Sequence, residues 1–199
     1  MRICASAVRV VSVMIIVALA ACSPAPRIVD LQPDYSAYDR SSLVRDAVLV
    51  VEGVVVEQEY TVVKPRFPGG SNPQEDPLFG MTEAEKKHAI EQATGVASTL
   101  VTLRATAVHR GTVTVGEEVV IVQTGGVVAG VRYRVADEPP MDVGTTYLLF
   151  AKDSFDGAFA ILGGCAGMYR WSTDQTYLAA RPECAPFEDL TSAEAESLS

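Results

Sequence analysis

The run Val48 to Tyr60, VLVVEGVVVEQEY, constrains the fold of this chain more than any other segment. β-Branched residues dominate it, and their stiff side chains suit extended backbone better than helix. Its first half is apolar at consecutive positions, so both faces need cover and the predicted strand is central. Gly53 inside the run marks a bulge or a sharp coil. Such a strand needs neighbours on both edges before it is stable.

The rest of the chain can supply them. Thr99 to Val108 alternates Val101, Leu103 and Ala105 inward against Thr102, Arg104 and Thr106 outward. Glu117 to Gln123 and Thr145 to Lys152 are further predicted strands. Asp153-Ser154-Phe155-Asp156-Gly157 has the residues of a hairpin turn, after which Ala158 to Leu162 pairs back. Val127 to Val135 is open between strand and loop, and Pro139-Pro140 ends it. Helical signals are few. Ser41 to Arg45 suits a short turn or helix. Thr82-Glu83-Ala84-Glu85 is a capping box for a helix reaching about Ala93, with Gly95 as its stop. The apolar stripe of that helix (Met81, Ala84, Ala89, Ile90, Ala93) is weak, which predicts a surface position. Thr191-Ser192-Ala193-Glu194 is a second capping box, on a short acidic helix.

The N-terminus has a different character. Arg2 and Arg9 precede an almost wholly apolar run, Val10 to Ala21, in the outline of an export signal. That run is too short for a comfortable membrane span. It ends in Leu19-Ala20-Ala21-Cys22, which resembles the lipobox of bacterial lipoprotein signal peptides. The resemblance implies cleavage after residue 21, lipid on the Cys22 thiol, and anchoring on the extracytoplasmic side of a bacterial membrane in the cell envelope. Removing 21 residues from 199 leaves 178, and losing two arginines moves the net charge from −9 to −11. Residues 22–40, with Pro24, Pro26 and Pro33, are expected to form a flexible tether. Residues 41–199 are then a single domain, with an insertion at 61–96 and a C-terminal tail at 172–199.

Composition bounds the function. Apolar residues make up 48 % and charged residues 21 %, enough for a core and against wholesale disorder. The acidic balance argues against nucleic acid, whose phosphates need a basic footprint. Beyond Cys4 in the export signal and Cys22, only Cys165 and Cys184 remain. In an oxidising compartment this pair is expected to form a disulfide contributing about 3 kcal/mol. No GxSxG, HExxH or CxxC motif occurs. No cofactor and no metal is implied. His88 reads as the polar side of a surface helix, and His109 as a solvated strand end beside Arg110. Glu57 and Glu59 share a strand face as solvated acids. Asp153 and Asp156 belong to a turn.

A helix early in the order, five to six strands and Gly-marked corners describe a mainly β protein, a small OB-fold-like Greek-key barrel with a surface helix inserted after its first strand and a short C-terminal helix. An unrelated β-sandwich or barrel is the alternative. Asp46-Ala47-Val48-x-x-x-x-Gly53-x-Val55, the segment Val101 to Gly111, Gly125-Gly126, Val143-Gly144-x-x-Tyr147-Leu148-Leu149-Phe150 and Gly163-Gly164-x-x-Gly167 resemble bacterial secreted domains related to the netrin-like, tissue-inhibitor-of-metalloproteinase-like OB-fold. The likeness covers about Asp46 to Tyr169. It implies a fold and not the inhibitor activity, because a lipidated Cys22 on a tether offers no free terminal Cys to a protease zinc. The expectation is a lipid-anchored, non-catalytic binding module for an extracytoplasmic protein or glycan. The alternatives are a hydrolase using carboxylates and a structural or stress-related accessory lipoprotein. Within the Pro- and Gly-rich stretch of the insertion, Arg66, Phe67 and Phe79 resemble interface anchors, and a loop of this length is either functional or disordered. Cys22→Ser should move the protein from the membrane fraction to the soluble extracytoplasmic fraction. Retention of the variant in washed membranes would overturn the lipid anchor.

Overall fold

A computed structural model of the chain describes residues 27–65, 67, 71–72, 76–136, 138–172 and 174–198. In chain order its elements are β1 (Arg27–Leu31), α1 (Arg40–Asp46), β2 (Leu49–Val63), α2 (Glu83–Gln92), β3 (Val96–Arg110), β4 (Glu118–Thr124), β5 (Gly126–Val128), β6 (Val131–Val135), β7 (Thr146–Asp153) and β8 (Phe159–Ile161). A 3-10 turn (Gly164–Gly167), β9 (Met168–Trp171), β10 (Tyr177–Ala179), β11 (Asp189–Leu190) and α3 (Ser192–Ser197) complete it.

The β-branched run becomes β2, and both of its edges are paired. β3 runs antiparallel along one edge from Val50↔Arg110 to Val63↔Val96, and β7 along the other from Leu49↔Ala151 to Val54↔Thr146. β4 joins β3 and β8 joins β7, both antiparallel. A short parallel pairing, Ile121↔Phe159 and Val122↔Ala160, then joins β4 to β8 and closes the ring. The ring β2-β3-β4-β8-β7 is a five-stranded barrel. Its strand β7 returns beside β2 after the β2-β3-β4 meander, which is the Greek-key order. The protein is therefore mainly β, with the OB-fold-like barrel, the inserted surface helix and the short C-terminal helix expected from its sequence.

Alternation along the strands builds two cores. Leu49, Val51, Val55, Val101, Leu103, Val119, Ile121 and Leu149 fill the barrel interior. Val50, Leu148 and Phe150 point outward and are covered by α1 and the C-terminal layer, through Leu43, Tyr169, Tyr177, Phe187 and Leu190. The Phe150, Tyr169 and Phe187 rings pack with centroids 5.9–6.3 Å apart, and the Arg40 guanidinium lies 5.1 Å from the Phe187 ring centre. Arg110 fastens this layer. It donates to the carbonyls of Val44 and Ala47 at the end of α1 and of Leu198 at the end of α3, so one cation serves carbonyls at two helix C-termini. The Cys165–Cys184 disulfide ties the 3-10 turn to the loop between β10 and β11.

Two expected boundaries shift. Of the stretch expected as tether, Arg27 to Leu31 forms β1 and pairs in parallel with β6. Arg134 closes an ion pair with Asp30 at 2.9 Å across that pair. A five-residue strand gains its order from a distant partner, so its proline-flanked sequence carries no local sign of it. The stretch expected as a C-terminal tail is also part of the packed body, with Tyr177, Leu190 and Ala195 each at most 4 % exposed. The segment left open between strand and loop is a hairpin, β5 to β6, turned by Ala129 and Gly130 in left-handed conformations.

Gly53 marks one of the register shifts between β2 and β3. A Cβ there would stand 2.6 Å from Leu103 Cδ2 and 2.7 Å from the Arg104 carbonyl oxygen. Gly53→Ala should therefore cost about 1–3 kcal/mol by overpacking, measured by chemical denaturation. An unchanged denaturation midpoint would contradict this packing.

Candidate functional site

The barrel interior changes chemistry along its axis. The inward row of β3 runs Ala105, Leu103, Val101 and then Thr99; that of β4 runs Val119, Ile121 and then Gln123. On β2 the inward positions past Val55 are Gln58, facing Val101, and Tyr60, facing Thr99. The wall thus turns from apolar to polar at one end, and there a cleft of about 400 Å³ opens beneath the β5–β6 hairpin.

The polar groups of its floor are engaged. Gln123 donates to the Pro139 carbonyl at 3.1 Å and accepts from the Met141 amide at 3.1 Å. Gln58 donates to the Met141 carbonyl, and the Thr99 hydroxyl donates to the Gly125 carbonyl at 2.9 Å. Glu138, 6 % exposed, accepts from the Tyr35 hydroxyl and from the Thr124 amide. Burial pushes its carboxyl up to about 7, against the hydrogen bonds from Tyr35 and Thr124, which pull it down. Arg132, Arg134, Arg181, Tyr60 and Tyr133 stand around the opening.

A second depression, a groove of about 430 Å³, lies on the outward face of the same strands. Val96 and Ser98 of β3 and Val122 and Thr124 of β4 form its floor. Val63, Lys64 and Pro65 at the start of the insertion form one rim, and Ser154 and Phe155 of the β7–β8 turn form the other. The Lys64 ammonium donates to the Glu91 carbonyl near the end of α2, which ties the inserted helix to that rim.

A third cluster corrects the reading of His109 as solvated. Its side chain is 8 % exposed, with Nε2 2.8 Å from Glu52 Oε1. The Tyr177 hydroxyl donates to Glu52 Oε2 at 2.7 Å, and the Ser192 side chain bonds Tyr177. Burial first, and then the Glu52 carboxylate, push the Tyr177 hydroxyl up. Four elements, β2, β3, β10 and α3, meet at this node, so it clamps the C-terminal layer onto the barrel. Glu52, the one charge in the apolar half of the β2 run, was the sequence signal for it, since a buried charge needs partners. Glu138 and its distant partner Tyr35 carried no such signal.

Cys165 and Cys184 are bonded. Cys22 and Arg66 lie outside the described residues. Phe67 is half-buried and Phe79 is 47 % exposed, and neither lines the groove. His88, Glu57 and Glu59 are exposed. Among the described residues no three His, Cys, Asp or Glu side chains converge as a metal site, and no helix is long and apolar enough to cross a membrane. No known family model and no curated protein matches the chain.

Because the folded chain raises the Glu138 carboxyl from the ordinary 4.5 to about 7, it holds that proton more tightly than the unfolded chain does. The resulting stabilisation is full below pH 4.5 and is lost as the pH rises toward 7. Glu138→Gln should remove about 3 kcal/mol of pH-dependent stability from that window, seen as a flatter plot of melting temperature against pH. Identical slopes in variant and parent would contradict the assignment.

Proposed function

We propose that this chain is a lipid-anchored envelope protein whose barrel is a non-catalytic binding module for an extracytoplasmic protein. The lipobox-like Leu19-Ala20-Ala21-Cys22 supports the anchor, which would confine the module to a membrane surface. The netrin-like resemblance stays with this reading as a statement about fold and carries no activity.

The observation that carries the binding reading is the outward groove. In a barrel of this type, the outer face of the second and third strands, flanked by the first and last interstrand loops, is where ligands settle. Here those positions are filled by Val63, Pro65, Val96, Val122, Phe155 and Ala160. Val96 is 46 % exposed. A mostly apolar lining, in which Ser98, Thr124, Lys64 and Ser154 are the polar members, suits apolar side chains of a protein partner better than a sugar, which prefers several aromatic platforms. The raised carboxyl of Glu138 is what favours the hydrolase alternative. Asp30, the other described carboxyl of that cleft, is committed to Arg134, so binding is the better supported role.

A photoreactive residue at position 155 should yield a discrete protein adduct in intact cells, and Val96→Asp should abolish it. The same probe at His88, on the exposed inserted helix, should give none. No adduct at 155, or one indifferent to Val96→Asp, would overturn the groove as the docking face.

A further inference from the structure

The cleft at the barrel mouth plays no part in the proposed docking. It lies mainly on the inward face of β3 and β4, and the groove on the outward face of the same strands, with Thr124 alone bordering both. Its charge runs against that of the chain. The protein carries 25 acidic and 16 basic side chains, yet the described lining of this cleft holds three arginines against two carboxyls, Asp30 and Glu138. Asp30 is spent on Arg134 at 2.9 Å, and Arg181 is paired with Glu183 at 2.8 Å. Glu138 is buried and turned to Tyr35 and Thr124. Arg132 has no ion-pair partner among the described residues and stands exposed on β6 at the opening.

An aromatic surface faces the same space. Tyr60 is 50 % exposed, and its ring lies against the backbone of Gly126. A Cβ at position 126 would stand 2.8 Å from the Tyr60 ring, so the glycine is what lets the ring lie there. Tyr133, the residue after Arg132 on β6, also lines the cleft. The amides and hydroxyls of the floor are already committed, as described above. What remains for a ligand is a guanidinium, the tyrosine surfaces, and a volume of about 400 Å³, enough for one or two sugar-sized rings.

We propose that the barrel-mouth cleft is a second ligand site, specific for an anionic sugar of the uronic-acid class. Arg132 takes the ring carboxylate, since a guanidinium matches a carboxylate through two parallel hydrogen bonds. Tyr60 supplies a flat face for the apolar C–H side of the pyranose. Arg132, the one arginine of the lining without an ion-pair partner among the described residues, favours an anion at the opening even though the whole molecule is acidic. The site is distinct from the outward groove, with which it shares only Thr124, and its ligand is a small molecule where that of the groove is a protein.

The test is titration of the full-length protein, observed by NMR, with three probes: D-glucuronate, glucose and inorganic phosphate. Glucuronate should shift resonances around Arg132, Tyr60 and Gly126 and bind about tenfold tighter than either other probe, because only it combines charge with a ring face. Arg132→Gln should weaken glucuronate binding about tenfold while leaving the melting temperature unchanged. Tyr60→Ala should weaken it as well. Val96→Asp should leave it intact, which separates this site from the docking groove. Equal binding of glucose would overturn the role of Arg132. Equal binding of phosphate would overturn the sugar assignment, leaving an anion site only. Undiminished binding to Arg132→Gln would place the ligand elsewhere and overturn the proposal.

Discussion

Everything in this molecule depends on β2 being covered on both edges and both faces. A strand with consecutive buried residues, Leu49, Val50 and Val51 all fully inaccessible, cannot sit at the rim of a sheet. Pairing with β3 and β7 satisfies its backbone, while its odd and even side chains are sent into two different cores. The barrel interior takes one set. The other requires a second layer, and α1 with the C-terminal segments β9–β11 and α3 provides it. The domain is thus a closed barrel wearing a partial coat.

The coat is held by polar contacts as well as by aromatic packing. Arg110 reaches the ends of α1 and α3 together, and Glu52 collects His109 and Tyr177 beneath the layer. Such buried polar nodes contribute little net stability but fix the relative placement of elements, because leaving any one partner unpaired is costly. The Cys165–Cys184 bond acts in the same direction by covalent means. With the coat so fixed, two open features of the barrel lie away from it: the outward groove beside the insertion, and the polar mouth beneath the β5–β6 hairpin.

How legible each part was depends on how far away its cause lies. The capping boxes at Thr82/Glu85 and Thr191/Glu194 close as expected because every group involved lies within four residues. The Asp39/Ser42 box before α1 is equally local, but it has Ser in place of the usual Glu or Gln and so escapes the pattern. The inward row of Val101, Leu103 and Ala105 was legible from alternation alone. β1 was not, because five residues near the N-terminus acquire their strand from β6, about a hundred positions later. The cleft was hidden for the same reason. Glu138 sits in a proline-bounded stretch with no periodicity, and its environment comes from Tyr35 and Thr124. Arg132 and Tyr60 face one space only because a hairpin folds over the barrel end.

By itself the sequence determined that the chain is mainly β, that β2 is central, where its short helices begin, and that two cysteines were available to bond. These follow from side-chain branching, period-two burial and hydrogen bonds between near neighbours, which act over a few residues. The tertiary structure decided the parallel closure of β4 on β8, the coat over the outward face of β2, the partners of Glu52 and Glu138, and which end of the barrel is polar and open. Those depend on groups brought together from distant parts of the chain, and no local preference encodes where such groups will meet.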